Sequence, residues 1–243
     1  MEKSMTPIQN TLPMDRAAAY QALVAQRKEH RFADGLLNPS EIAGGKFDSD
    51  ELGPWSRWQG ALDAEVVIVG QDWGHLAYFA NNGGIDSDGE KTCTNLQCLA
   101  QKAGWVLGPP SNPNRERLFF TNAVLGIRQN GKSGGTIPDS WIKDSLPFLK
   151  ELLTIIKPVA IVSLGEVAHY ACRLVLLQER QDPNLPMKAR LKDIIELNPI
   201  RRPGLPTWFG FYHCGPLGLA NRCMELQAQD WQALGAWRSS MRT

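Results

Sequence analysis

The chain has 243 residues, 43% hydrophobic and 21% charged, with 26 Lys and Arg against 25 Asp and Glu, for a net charge of +1. This is an ordinary composition for a soluble globular protein, and one domain of this length buries about 70% of its unfolded surface without disulfides or metals. The longest uncharged apolar stretches reach only about half a bilayer span, and Lys157 and Pro158 interrupt the richest, which excludes a transmembrane helix.

In chain order, Asp15–His30 reads as a helix with Asp15 near its start, and the Gly-, Pro- and Asp-rich Ala33–Pro54 as an irregular surface wrap. Pro54-Trp55-Ser56-Arg57-Trp58 is expected to pack against a sheet. Short runs rich in Val, Ile and Phe predict buried strands at Glu65–Val69, Leu118–Val124, Val159–Leu164 and Trp208–His213. Helical spacing between and after them falls at Asn95–Ala103, Ser140–Ile156, Glu166–Gln178 and Ala220–Trp237. Polar loops occupy Asn81–Glu90 and Gln129–Pro138, and Lys188–Arg202, with five basic and two acidic residues, forms a basic loop before the last strand. Strands alternating with helices predict an α/β fold, three-layer α/β/α around a central four-stranded, mostly parallel sheet. Residues 1–243 are expected to form a single domain, with an N-terminal helix and wrap over 1–58 and an α/β core over 60–235.

Five cysteines at irregular spacing, with no Cys-x-x-Cys, argue against a disulfide framework, zinc or an iron–sulfur cluster. The odd cysteine count at irregular spacing and the absence of a secretory apolar stretch in MEKSMTPIQN make a reducing cytoplasm the expected location, and a monomer is the expected state. Residues 1–120 carry 11 basic and 15 acidic groups and residues 121–243 carry 15 and 10, so a polyanion would meet the second half.

Three strands end in polar residues suited to chemistry: Gly70-Gln71-Asp72-Trp73-Gly74-His75, Thr121-Asn122, and His213-Cys214-Gly215-Pro216-Leu217-Gly218. Each has a plain structural reading: Asp72 as a helix cap, Asn122 closing a turn, His213 as a satisfied buried histidine. In a parallel sheet all three share one edge, where ligands bind in open α/β folds, and their coincidence there favours a functional site.

These motifs resemble the uracil-DNA glycosylase superfamily. Gly70-Gln71-Asp72 with His75 is similar to the water-activating motif of the family 1 enzymes, and Leu118–Arg128 (LFFTNAVLGIR) to their uracil-reading strand. His213 with Pro216-Leu217 resembles their histidine and minor-groove loop, and Ser163-Leu164-Gly165 the third-strand turn common in the superfamily. The resemblance implies hydrolysis of the N-glycosidic bond of uracil, or a related pyrimidine, flipped out of DNA, by a monofunctional enzyme without cofactor or metal. Asp72 and His213 are then the catalytic residues, Asn122 with Gln71 and Gly74 reads the base, and Leu217 is the wedge. Phosphate contacts are expected from Gly215, Gly218, Asn221-Arg222 at a helix start, Ser163 and Gly165. Family 1 places Phe where this chain has Ile85; Trp73, Tyr78 and Phe79 are the candidates to cover the base, and Phe79 is the choice.

The chain departs from that pattern in two places. Trp73-Gly74 replaces Pro-Tyr, removing the tyrosine that blocks the thymine methyl, so a wider pocket is expected. Cys214-Gly215 replaces Pro-Ser, losing a hydroxyl, and Cys214 reads as a packing residue. Two alternatives compete with the enzyme: a DNA- or modified-base-binding protein of the same fold that does not cut, and an unrelated nucleotide-handling α/β protein, against which stands the lack of a GxGxxG or P-loop.

Overall fold

The computed structural model describes residues 15–131, 136–177 and 189–241. Its centre is a four-stranded sheet of β2 (Val66–Gly70), β3 (Leu118–Asn122), β5 (Ala160–Leu164) and β6 (Thr207–Phe211), ordered β3-β2-β5-β6. Every pairing is parallel, so the sheet expected to be mostly parallel is wholly so among the described residues. Register runs Gly70 opposite Asn122, Val69 opposite Ser163 and Leu164 opposite Phe211, which aligns the carboxyl ends of all four strands at one edge.

Alternation along the strands divides the core in two. Val67, Val69, Phe119 and Ile161 face the layer containing α1 (Arg16–Glu29), α4 (Asp139–Ile156) and α5 (Glu166–Leu177). Val66, Ile68, Phe120, Val162, Phe209 and Phe211 face α3 (Lys91–Lys102) and α8 (Met224–Ser240). The Asp15 carboxylate caps α1, accepting from the amides of Ala17 and Ala18 at 3.0 and 3.3 Å. No helix among the described residues is long and apolar enough to cross a membrane.

Boundaries expected from sequence move by a few residues, with two larger differences. The last helix, expected at Ala220–Trp237, is two: α7 (Pro216–Asn221) and α8, separated at Arg222-Cys223. The Lys188–Arg202 loop contains a short α6 (Leu191–Ile195); its residue 188, residues 132–135 of the Gln129–Pro138 loop and Gln178 lie outside the described residues.

The wrap is more than a surface loop. It contributes β1 (Leu36–Leu37), antiparallel to β4 (Ile127–Arg128), and buries Ile42 and Leu52. The buried Arg27 guanidinium pins it, donating to the Ser49 and Glu51 carbonyls and pairing with Asp48 at 2.9 Å. A 3-10 turn at Pro54–Arg57 then seats Trp55 and Trp58 against Phe120, ring centres 4.9 and 5.5 Å apart.

Candidate functional site

Asn122, the last residue of β3, is 6% exposed, and its carboxamide makes no hydrogen bond among the described residues. A Cβ on its register partner Gly70 would lie 2.8 Å from Asn122 Nδ2 and 2.9 Å from the Trp55 ring. Glycine at position 70 therefore leaves the room that the Asn122 carboxamide and the Trp55 ring occupy at the strand end. Neither carboxamide atom is among the fully buried unpaired polar atoms of the described residues, so the group is reached by water at the strand end and can exchange that water for a ligand.

Two residues beyond Gly70, the side chain of Asp72 is 3% exposed and forms an ion pair with Arg128 of β4, Nη2 to Oδ1 3.1 Å. Gln71 Nε2 donates to the other oxygen at 2.9 Å. The turn behind Asp72 passes through Gly74 at φ +126°, a conformation that requires glycine, and its carbonyl accepts from the Arg128 amide at 3.2 Å. The nearest atom to a Cβ there is Tyr78 Cδ1 at 3.7 Å, ordinary van der Waals contact, so the buried position 74 carries no bulk of its own toward the site. His75 then caps α2 (Leu76–Asn81), its Nδ1 accepting from the Tyr78 amide at 3.4 Å.

His213 follows β6 at the same edge. Its Nδ1 accepts the Gly215 amide at 3.0 Å, which leaves the proton of a neutral ring on Nε2. Loss of water lowers its pKa below the ordinary histidine value, opposed by the nearby Asp72 carboxylate, so the neutral ring is favoured. The carbonyl of Cys214 is held by Asn95 Nδ2 at 2.8 Å, so α3 anchors this loop. Cys214 itself is fully buried with its thiol pushed up to about 12, as suits a packing residue.

Several expected roles are corrected. Phe79 is 0% exposed, its ring enclosed by Trp73 and Phe47, and presents no face to a ligand. Ser163 is 0% exposed on the opposite side of the sheet, accepting from Trp208 Nε1 at 2.9 Å and donating to the Phe209 carbonyl, so it cannot reach a phosphate. The Gly165 amide is committed to the Phe211 carbonyl at 2.8 Å and the Gly215 amide to His213. Asn221 ends α7 rather than starting a helix, its side chain donating to the Leu217 carbonyl at 2.8 Å. Arg222 is held by both oxygens of Asp230, at 2.6 and 2.8 Å, which neutralises its charge. Gly218 is buried in α7 against the His213 carbonyl, while Leu217 is 69% exposed.

Three residues at or beside this edge were not anticipated. Arg128 lies within the LFFTNAVLGIR run, but nothing in its spacing announces a partner in another loop. Trp55 was expected only to pack. Asp86 is raised to about 6 because it is shielded from water, although the Tyr78 hydroxyl donates to it at 3.3 Å and the Trp73 indole favours its ionised form. That indole N–H is buried without a hydrogen bond of good geometry, so its influence on Asp86 is that of a nearby dipole. Among the described residues no group of three or more His, Cys, Asp or Glu could hold a metal ion. No protein-family model matches the chain, and no curated protein matches it either.

Proposed function

We propose that this chain is a monofunctional DNA glycosylase of the uracil-DNA glycosylase type, hydrolysing the N-glycosidic bond of uracil or a related pyrimidine turned out of DNA. The observation that carries the reading is the Asn122 carboxamide, within reach of water and without a hydrogen bond among the described residues, on the strand edge it shares with Asp72 and His213. A carboxamide presents a donor beside an acceptor, matching the carbonyl and N–H on the pairing edge of uracil. Cytosine would leave both groups unpaired, at about 1–3 kcal/mol each.

Cleavage leaves negative charge on the base and positive charge on the sugar. His213, neutral with its proton on Nε2, donates to the base oxygen as that charge develops, an oxyanion-hole interaction of about 3–4 kcal/mol. The Asp72 carboxylate stabilises the sugar cation and orients the attacking water. Exposed Leu217 on α7 fills the stack that the base leaves, offsetting part of the few kcal/mol that extrusion costs. Glycine at position 74 puts no side chain against a 5-substituent, so 5-hydroxymethyluracil is a substrate alongside uracil.

The engagement of Asp72 by Arg128 and Gln71 favours a second reading, a protein that binds the base without cutting. One assay separates the two. A labelled uracil oligonucleotide incubated with the protein and then treated with alkali breaks at uracil if the first reading holds. Asp72→Asn and His213→Ala each slow that cleavage at least about a hundredfold, and Asn122→Asp shifts preference toward cytosine. Retention of wild-type turnover by Asp72→Asn would refute the assignment, and binding without strand breakage would establish the second reading.

A further inference from the structure

Resting on the glycosylase reading, we infer that Arg128 is a positioning residue: it fixes the Asp72 carboxylate as a directed charge, so that Asp72 acts on the sugar electrostatically rather than by taking up a proton. The geometry points this way from three sides. Arg128 Nη2 stands 3.1 Å from Asp72 Oδ1, with the two side chains 5% and 3% exposed. Gln71 Nε2 occupies the other carboxylate oxygen at 2.9 Å, so both oxygens face donors and neither is an unengaged base. The Arg128 amide also donates to the Gly74 carbonyl at 3.2 Å, so main chain and side chain of one residue grip the turn that carries Asp72.

Arg128 is itself fixed from outside the site. It is paired with Leu36 in the two-stranded β1–β4 ladder, and a further bridge joins it to His75. The N-terminal wrap thereby sets where the Asp72 carboxylate points, a role for residues that contribute no group to the site. Each carboxylate oxygen has two lone pairs, so one remains to orient a water after Arg128 and Gln71 are satisfied. A buried ion pair is weak evidence for stability, since well-packed apolar residues replace such pairs at little loss, whereas removing one partner strands the other charge. The pair is therefore explained by what it does to Asp72.

The test uses the full chain with Arg128→Gln, Arg128→Lys, Asp72→Asn and the Asp72→Asn/Arg128→Gln double variant. Single-turnover and steady-state cleavage of a uracil oligonucleotide is measured beside thermal unfolding. Arg128→Gln is expected to lower kcat about a hundredfold with KM within about threefold, and Arg128→Lys to recover about tenfold of that loss. The double variant should be no slower than Asp72→Asn alone, because the arginine has nothing left to aim. Arg128→Gln should melt about 10 °C lower than wild type, and the double variant should regain at least half of that fall. Wild-type kcat in Arg128→Gln, a loss confined to KM, or single-variant slowdowns that multiply in the double each overturn the inference. If the wild-type chain cuts no uracil DNA, the glycosylase reading fails by itself. The melting cycle then decides: recovery in the double variant upholds Arg128 as the residue that holds Asp72, and no recovery overturns it.

Discussion

Asp86 shows how a single side chain can run against the stability of the fold that holds it. Its carboxyl is raised to about 6 because burial penalises the charged form more than the Tyr78 hydroxyl restores it. Between about pH 4, where an ordinary Asp titrates, and about 6, the folded chain binds more protons at this residue than the unfolded chain. Its contribution to stability therefore falls as pH rises through that window and stays reduced at neutral pH. Asp86→Asn removes the charge and keeps the shape. It should be about 1–2 kcal/mol more stable than wild type at pH 7.5, with the gap closing below about pH 4. Thermal melts of both proteins across that range check it, and a pH-independent difference would show that the asparagine acts through packing instead. His213 has the opposite sign, since its lowered pKa means that the unfolded chain binds the extra proton and stability rises with pH through the ordinary histidine range.

At the scale of elements, the short α7 holds out in solvent the most exposed large apolar side chain among the described residues, ahead of Leu226 on the long α8 at 40%. Leu217 is 69% exposed, whereas the neighbouring Gly218 is buried against the His213 loop, so the leucine is displayed from a turn anchored by its own next residue. Leu217→Ala should change stability by less than about 0.5 kcal/mol, as surface substitutions do. If Leu217 replaces an extruded base in the stack, the same variant should lose at least about tenfold in activity on duplex uracil DNA and much less on single strands, where no stack must be refilled. Equal losses on both substrates would remove the wedge role. The β1–β4 ladder is the complementary case, two residues on each strand that carry Arg128 to Asp72 across 56 positions of sequence.

For the whole molecule, net charge +1 with the basic excess in residues 121–243 describes a protein that holds a polyanion by a few local contacts rather than by a general field. The loss of Arg222 to Asp230, and of the Gly165, Gly215 and Ser163 groups to internal hydrogen bonds, reduces the phosphate contacts further. Two or three phosphate contacts predict a duplex affinity that falls about ten- to fortyfold between 50 and 200 mM salt, rather than the thousandfold or more of an extensive interface. Fluorescence anisotropy with an uncleavable uracil analogue measures that slope; a slope of many phosphates would mean that a larger basic surface engages DNA.

The sequence by itself determined the alternation of strands and helices, and with it a parallel sheet whose carboxyl edge gathers Asp72, Asn122 and His213. Those are consequences of apolar periodicity and of the rule that parallel strands need covered crossovers, both local in origin. It did not reveal which face a strand residue takes, because a strand buried on both sides reads apolar throughout; hence Ser163 was expected at the site and lies on the far side of the sheet. Nor did it reveal which groups are already committed: the Gly165 and Gly215 amides, the Arg222 guanidinium and the Phe79 ring each look available until their partners are known. Only the tertiary structure decided that Arg128 faces Asp72, that Asn122 makes no hydrogen bond among the described residues and that Asp86 is largely withdrawn from water. Hydrogen bonding and desolvation depend on which distant segments meet, and that is a property of the packed chain rather than of any stretch within it.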